Sequence, residues 1–406
     1  MDKRFSRIFL FTVSLAMILI IFFLHLITKD DISIEDIFGD RRALGDMNIV
    51  YQRRKGMYET DSIIISKDNE KIDKYVKEGV MDISISKENI DNRELLQFSD
   101  YKSDICETKD EIANVSLLST YSPYGGEEMI AYIDIKDKKT SKITNYEIVI
   151  DDTIDVNGDS VYQALPIRDK DNIYLAIISS VYNEDNVRDE NEADMYKQTY
   201  LSLFKLNISS QQSRFILTKP YDTSEMYTNG EVGFVKDNVS YFVTHIKDET
   251  TKEVNTCLFG FNVLTKDISI INLGVGNKEI TDYYIDGNEV LLCCDADQIS
   301  KTVRTLVVDL DNKKVISTNE IDAKVKDGYN RDILEMRRDN NKIYLVMGYY
   351  KYDDYNNYID YGSESPDIDY YIYVINEKNN DILYSGKIKE KTIHNVSFGI
   401  VKDDEL

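Results

Sequence analysis

ILEMRRDNNKIYLVM (333–347) is the stretch on which the fold turns. A partly polar run, a turn built from Asp339, Asn340 and Asn341, and a continuous apolar run follow one another within it. Strict alternation would mark a strand with one wet face. IYLVM has none, and so reads as a strand covered on both faces. The Asp-Asn-Asn step between the two runs is hairpin chemistry, because these side chains tolerate left-handed backbone and bond to their own main chain. The same grammar recurs upstream in YQALPIRDKDNIYLAI (162–177), EVGFVKDNVSYFVT (231–244) and ITDYYIDGNEVLLCC (280–294), each with an Asp one to three positions ahead of an Asn. The apolar centres of the four copies, Tyr174, Phe242, Leu291 and Tyr344, lie 68, 49 and 53 residues apart.

Each unit has a second half. After a polar loop of variable length come another apolar strand, a tight turn and a strand of mixed polarity. The copies are TYLSLFKLNISSQQSRFILT (199–218), TCLFGFNVLTKDISII (256–271), RTLVVDLDNKKVIST (304–318) and YYIYVINEKNNDILYS (370–385). NVSLLSTYS with EEMIAYIDIKDKKTSKIT (114–122 and 127–144) is an earlier copy, and MNIVYQ with DSIIISKDNEKI (47–52 and 61–72) a weaker one. Four antiparallel strands recurring every 50–65 residues or so make an all-β chain. It resembles the β-propellers of divergent bacterial, membrane-anchored extracytoplasmic proteins. The likeness covers about 114–400, or 47–400 with the weaker copy, and is carried by the repeat without a WD or kelch signature. It implies about five to seven four-stranded blades, middle strands buried on both sides and more polar fourth strands, as KKVIST and SQQSRFILT are. It implies a binding face and no particular chemistry. IHNVSFGIV (393–401) is placed to pair with an N-terminal strand, which would protect an otherwise open edge. Tandem β-sandwiches are the competing architecture.

IFLFTVSLAMILIIFFLHLI (8–27) carries no formal charge and has the length that crosses about 30 Å of hydrocarbon. Lys3, Arg4 and Arg7 precede it and Asp30 and Asp31 follow it, which places the N-terminus in the cytoplasm. A cleaved signal peptide is the rival reading. It calls for a shorter apolar core and a small-residue cleavage site, and TKDDISIED supplies none. The expected plan is a cytoplasmic tail (1–7), a transmembrane helix (8–27), a juxtamembrane stalk (28–46) and an extracytoplasmic domain (47–406).

The formal net charge of −24 disfavours nucleic acid and anionic lipid as partners and favours basic proteins or cations. The four cysteines, Cys106, Cys257, Cys293 and Cys294, have no paired metal-binding spacing. Cys293 and Cys294 are neighbours on one strand and so face opposite ways. Buried thiols are expected; a Cys257 bridge to Cys293 or Cys294 is the alternative.

Motifs for catalysis are sparse. His25 lies in the membrane segment, leaving His245 and His394, and no nucleophile elbow, zincin, Walker or dinucleotide pattern is present. His245 is read as structural. DDTIDVNGDS (151–160) puts Asp155, Asn157 and Asp159 around Gly158, but the glycine falls at position four and Pro166 stands where an EF-hand loop needs its glutamate. No cofactor is expected, with calcium the weak alternative.

The useful inference is topological. In a propeller, the loops joining second and third strands emerge on one face. Here these are 122–128, 183–198, 247–255, 295–301 and 351–369, and the second and fifth are the longest. The expected site is an acidic, tyrosine-decorated surface of Tyr352, Asp353, Asp354, Tyr355, Tyr358, Asp360, Tyr361, Asp367 and Asp369, with Glu184, Asp185, Asp189 and Glu190. The function this supports is a membrane-anchored docking or sensing module for a protein or envelope glycan. A surface glycan hydrolase or lyase with paired carboxylates, and a structural subunit of a membrane complex, are the alternatives.

Overall fold

The computed structural model describes residues 33–54, 59–68, 70–76, 105–107, 110–121, 127–150, 160–182, 196–222, 226–227, 232–247, 251, 253–295, 302–322, 329–351, 368–389 and 396–404. Among them the chain is all-β apart from one short 3-10 turn, Arg41–Leu44. Strand β1 (Ser33–Gly39) precedes that turn. Six antiparallel sheets then follow in chain order.

Sheet one holds β2 (Met47–Arg54), β3 (Glu59–Ile65) and β4 (Glu70–Val76). Sheet two holds β5 (Ile105–Glu107), β6 (Glu111–Tyr121), β7 (Glu127–Asp137) and β8 (Ile143–Ile150). Sheet three holds β9 (Ser160–Asp169), β10 (Asn172–Tyr182), β11 (Tyr196–Asn207) and β12 (Gln212–Asp222). In sheet four, β13 (Met226–Tyr227) and β14 (Gly233–Lys236) both pair with β15 (Val239–Lys247), followed by β16 (Val254–Asn262) and β17 (Ile268–Asn272). Sheet five is β18 (Ile280–Asp286), β19 (Glu289–Asp295), β20 (Thr302–Asp309) and β21 (Lys314–Asp322). Sheet six is β22 (Tyr329–Asp339), β23 (Lys342–Lys351), β24 (Asp369–Asn376) and β25 (Ile382–Lys389). The last strand, β26 (Val396–Lys402), returns to sheet one and takes its first place, pairing Met47 with Lys402 through Arg53 with Val396.

The continuous apolar runs are explained by which way their residues point. On β19, Val290, Leu292 and Cys294 enter a cluster shared with sheet four, whereas Leu291 and Cys293 enter one shared with sheet six. On β10, Ile173, Leu175 and Ile177 pack towards sheet two, and Ala176 and Ile178 towards sheet four. On β23, Tyr344 and Val346 meet sheet one, and Leu345 and Met347 meet sheet five. A strand with cores on both faces has no reason to alternate. Sheets three to six each bury both faces in this way, which a two-layer sandwich does not do. Consecutive first strands lie against each other (β5 with β9, β9 with β14, β18 with β22, β22 with β26), and so do fourth strands (β8 with β12, β17 with β21).

In sheets two to six the first and last hairpin turns lie at the same end of the sheet, and the last ones repeat a single device. An Asx residue closes the third strand, at Asp137, Asn207, Asn262, Asp309 and Asn376, and its side chain accepts main-chain N–H bonds from two or three residues on. Four residues after each, Ser141, Gln211, Lys266, Lys313 and Asn380 have positive φ. The residue after the Asx then donates its N–H to a carbonyl in the sheet's other hairpin: Lys138 to Asp110, Ile208 to Asp171, Val263 to Asn238, Leu310 to Asn288 and Glu377 to Asn341. At this same end Arg338 bonds Glu377 at 2.9 Å, lies 3.5 Å from Asp286 and also meets Glu289, joining sheets five and six.

Ser33–Leu44 corrects the expected stalk over 28–46. β1 is hydrogen-bonded to β25 as a fifth strand of sheet six, and Leu44 is fully buried in the cluster between sheets one and six. Among the described residues no helix is long and apolar enough to cross a membrane, and 8–27 lies outside them.

Candidate functional site

Sheet six is one strand wider than sheet five, and the site follows from that mismatch. β1 adds an edge outside β25 that sheet five does not match, and no described element covers the wedge beside β21, the last strand of sheet five. A groove of about 880 Å³ fills it, lined by Ile37, Phe38 and Gly39 of β1, Glu320 and Asp322 of β21, and Tyr349, Asp369, Tyr371, Tyr373, Asp381, Ile382, Leu383 and Ser385 of sheet six. Across sheet six the register aligns Leu345, Tyr373, Ser385 and Phe38 in one row, so Phe38 prolongs the buried row into solvent. Between Asp36 and Phe38 the register shifts at a β-bulge, and Ile37 and Phe38 are 52% and 57% exposed. Bulges re-aim side chains in this manner.

The floor is aromatic. Tyr349 and Tyr373 are buried, with their hydroxyls 3.2 Å apart. Tyr371 meets Tyr349 edge-on at 5.0 Å and stacks on Tyr373 at 6.3 Å. Burial raises the pKa of both Tyr349 and Tyr373 above that of a free phenol, so each stays neutral at ordinary pH. Asp369 forms an ion pair of 2.6 Å with Lys387, whose ammonium sits 5.6 Å from the Tyr371 ring. Burial pulls the Lys387 pKa down, but the bonds to Asp369 and Tyr371 outweigh it and the net shift is upward.

β1 is fixed from its other face. Asp36 accepts hydrogen bonds from Arg41 at 2.9 Å and from Tyr384 at 2.6 Å. The Arg41 bond is the main reason the Asp36 carboxyl is held below the usual range. Gly39 has φ of +75°, and a Cβ built there would lie 2.0 Å from the carbonyl oxygen of Leu383. Only glycine lets the strand end so close to β25.

Of the residues expected from sequence, Asp369 is in this groove, at the mouth formed where β24 begins. Tyr352, Asp353, Asp354, Tyr355, Tyr358, Asp360, Tyr361 and Asp367, and Glu184, Asp185, Asp189 and Glu190, lie outside the described residues, as does the Asp155–Asp159 stretch. Among the described residues no group of three or more His, Cys, Asp or Glu gathers in metal-binding geometry. His245 is buried, stacks on Tyr227 at 4.9 Å, and has Nδ1 3.2 Å from the Thr256 hydroxyl. Cys257, Cys293 and Cys294 are buried and unbridged, and desolvation pushes the Cys257 thiol up to about 11.

Sequence reasoning passed over Ile37, Phe38, Glu320, Asp322 and Asp381. The readable signal was DYYIY (369–373), where Tyr371 and Tyr373 stand two apart and so share a face with Asp369.

No protein-family model matches the chain, and no curated protein matches its sequence. Among solved structures, an uncharacterized protein from Listeria monocytogenes EGD-e is similar at TM-score 0.34 and 12% identity, over 92% of this chain and 86% of that one. YjhT is similar at 0.34 and 14%, over 68% and 81%. TolB from Acinetobacter baumannii is similar at 0.32 and 8%, over 87% and 67%. Likeness at this level carries no inference about fold or function.

Proposed function

We propose that the chain is a six-bladed β-propeller, held on the outer side of a membrane by residues 8–27, that works as a docking module. The propeller reading rests on six meander sheets in chain order, each of sheets three to six packed on both neighbours, and on β26 completing sheet one. The closing contact of sheet one on its outward side would run through Val50, Val401 and Ile64, which already cluster there.

The docking reading is carried by one observation. An aromatic groove with an acidic rim ends on an exposed Ile37–Phe38 pair that no described element covers. Exposed apolar surface bordered by charge is costly to keep in water and marks places where partners bind. Neutral, rigid phenols with fixed hydroxyls give contact area at small entropic cost.

The test is photo-crosslinking in intact cells from a reactive residue placed at Phe38 or Ile382. Val149 and Ile270, exposed apolar positions on other sheets, serve as controls. Defined adducts from the groove positions alone support docking there. Adducts of equal yield from all four positions refute it.

A further inference from the structure

We propose that the turn Arg41–Leu44 is a processing site, at which an arginine-specific endopeptidase outside the membrane cuts the chain and frees the six sheets from their anchor. Processing rests on the reading of residues 8–27 as that anchor and is independent of what occupies the groove.

The sequence narrows the place. Three Arg-Arg pairs occur in the chain: Arg41–Arg42, Arg53–Arg54 and Arg337–Arg338. An endopeptidase takes its substrate as an extended segment, so chain already held in a ladder has to open first. Arg53 pairs with Val396 on one edge of β2 and with Asp61 on the other. Arg337 and Arg338 lie within β22, where Arg337 donates to the Ile400 carbonyl at 2.9 Å and Arg338 bonds Glu377 at 2.9 Å. Arg41–Arg42 instead opens a four-residue turn between Gly39 and Gly45, both at positive φ. The Arg42 side chain is 78% exposed, and its partner Asp40 is itself solvent-facing, so the pair is a weak restraint. Turns of this kind are where chains are nicked.

What each side of the cut retains sets the outcome. The bond after Arg42 leaves the anchor and β1 on one piece and β2–β26 on the other. On β1, Ile34 is half-buried and the other six residues are exposed. Beyond the bond, the Ala43 carbonyl accepts from Lys342 Nζ at 2.8 Å, and Leu44 and Met47 are buried in the cluster between sheets one and six. Cutting draws on the local opening of Ser33–Leu44, after which Leu44 returns to its cluster. The piece from Ala43 onward keeps every fully buried residue of the described cores.

Hydrolysis places the hydroxyl of water on the Arg42 carbonyl carbon and a proton on the Ala43 nitrogen. β1 is then held through its ladder with β25, the Asp36–Tyr384 hydrogen bond of 2.6 Å and the exposed Glu35–Lys389 pair of 2.8 Å. In the intact chain the covalent link keeps β1 beside β25 at an effective concentration on the order of millimolar. Cutting makes the seating bimolecular, and a body that diffuses away does not find its strand again. Release also removes Ile37, Phe38 and Gly39 from the groove, so the freed body loses one wall of its docking site.

The experiment uses the full chain in lipid nanodiscs, an added arginine-specific endopeptidase, and separation of disc-bound from free protein. One free fragment beginning at Ala43 is expected, melting as the uncut chain does. Arg41→Gln/Arg42→Gln should slow its appearance by about 100-fold or more, because a pocket built for guanidinium rejects a side chain without it. Arg214→Gln, which removes an exposed arginine from the outer strand of sheet three, should leave the rate unchanged. Equal rates in the two variants, or a fragment from Ala43 that stays with the disc, overturn the proposal. Chain that is free before the enzyme is added refutes the anchor instead. In the cells that make the protein, the same fragment is expected in the medium and should be missing when Arg41→Gln/Arg42→Gln replaces the natural chain. Medium without the fragment, while intact chain is present on the cells, overturns processing there.

Discussion

Replacing Gly39 by alanine should release β1 without unfolding the protein. The added Cβ would stand 2.0 Å from Leu383 O and 2.9 Å from its carbonyl carbon, both main-chain atoms of the partner strand. Ordinary non-bonded contact is about 3.5 Å, so β1 and β25 must part by roughly 1.5 Å at this point. Hydrogen bonds tolerate only a few tenths of an ångström, and the ladder bonds flanking Gly39–Tyr384 cannot survive the shift. Each is worth ~0.5–1.5 kcal/mol, and the positive φ adds about 1 kcal/mol for any residue with a side chain. Two lost bonds and the strained φ together cost at least about 2 kcal/mol against the local opening of 33–44. The open population should then rise about 30-fold. Trypsin reads this directly, because Arg41 and Arg42 lie in the turn that β1 holds down. Cleavage there should quicken by that factor, since proteolysis of an opened segment follows its equilibrium population. The melting temperature should change little, because the shared cores of sheet six lie mainly on β22–β25. Unaltered cleavage at Arg41 and Arg42 would refute the seating of β1; a collapse of the whole fold would refute its independence.

Other consequences follow from the same contacts. Phe398→Ala removes a ring packed 5.2 Å from Tyr51 and 5.1 Å from Tyr370, and should cost ~3–5 kcal/mol in denaturant melts; less than about 1 kcal/mol would mean that β26 is not part of the core. The folded-state pKa of Asp36 is lowered, chiefly by Arg41, so its contribution to holding β1 is complete above about pH 4, the unfolded value, and is lost as pH falls through the folded value. Tryptic release at Arg41 has no use at that pH, so the readout is pepsin cleavage within 33–44, which should be faster in the wild type at pH 2 than at pH 4 beyond the enzyme's own pH dependence. Asp36→Asn should erase most of that difference. A thiol reagent at pH 8 should leave Cys257 unmodified in the native state and react with it fully in denaturant, because its pKa of about 11 keeps it a thiol; rapid native labelling would contradict its burial.

The second strands were legible in the sequence because burial on both faces writes itself as an unbroken apolar run, as in IYLVM and VLLCC. The first hairpin turns were legible through their Asp–Asn steps, as at Asp339–Asn341, whereas the Asx residues that close the third strands were not singled out and the clasp each turn makes with the other hairpin is a main-chain bond that no side chain announces. β1 was not legible. SIEDIFG has one half-buried side chain, Ile34, and a bulge that breaks its alternation, so period-two reasoning found nothing to count. The groove was hidden for a related reason. Phe38, Asp322 and Ser385 meet only because β1 returns across some 350 residues to the last sheet, a placement fixed by Gly39 and Asp36 and by no motif. Asp369 was named as the end of the acidic loop 351–369, and the structure makes it the first residue of β24, on the face that Tyr371 and Tyr373 share.

Hydrogen exchange at β26 tests the central claim most directly. A C-terminal strand ordinarily frays ahead of the fold. If Val396–Lys402 completes sheet one and closes the ring, its amides should exchange as slowly as those of β2 and with the same denaturant dependence as β23, because all three open only in global unfolding. Exchange at 396–402 that is orders of magnitude faster, with β23 still protected, would show an open array of sheets and contradict the propeller.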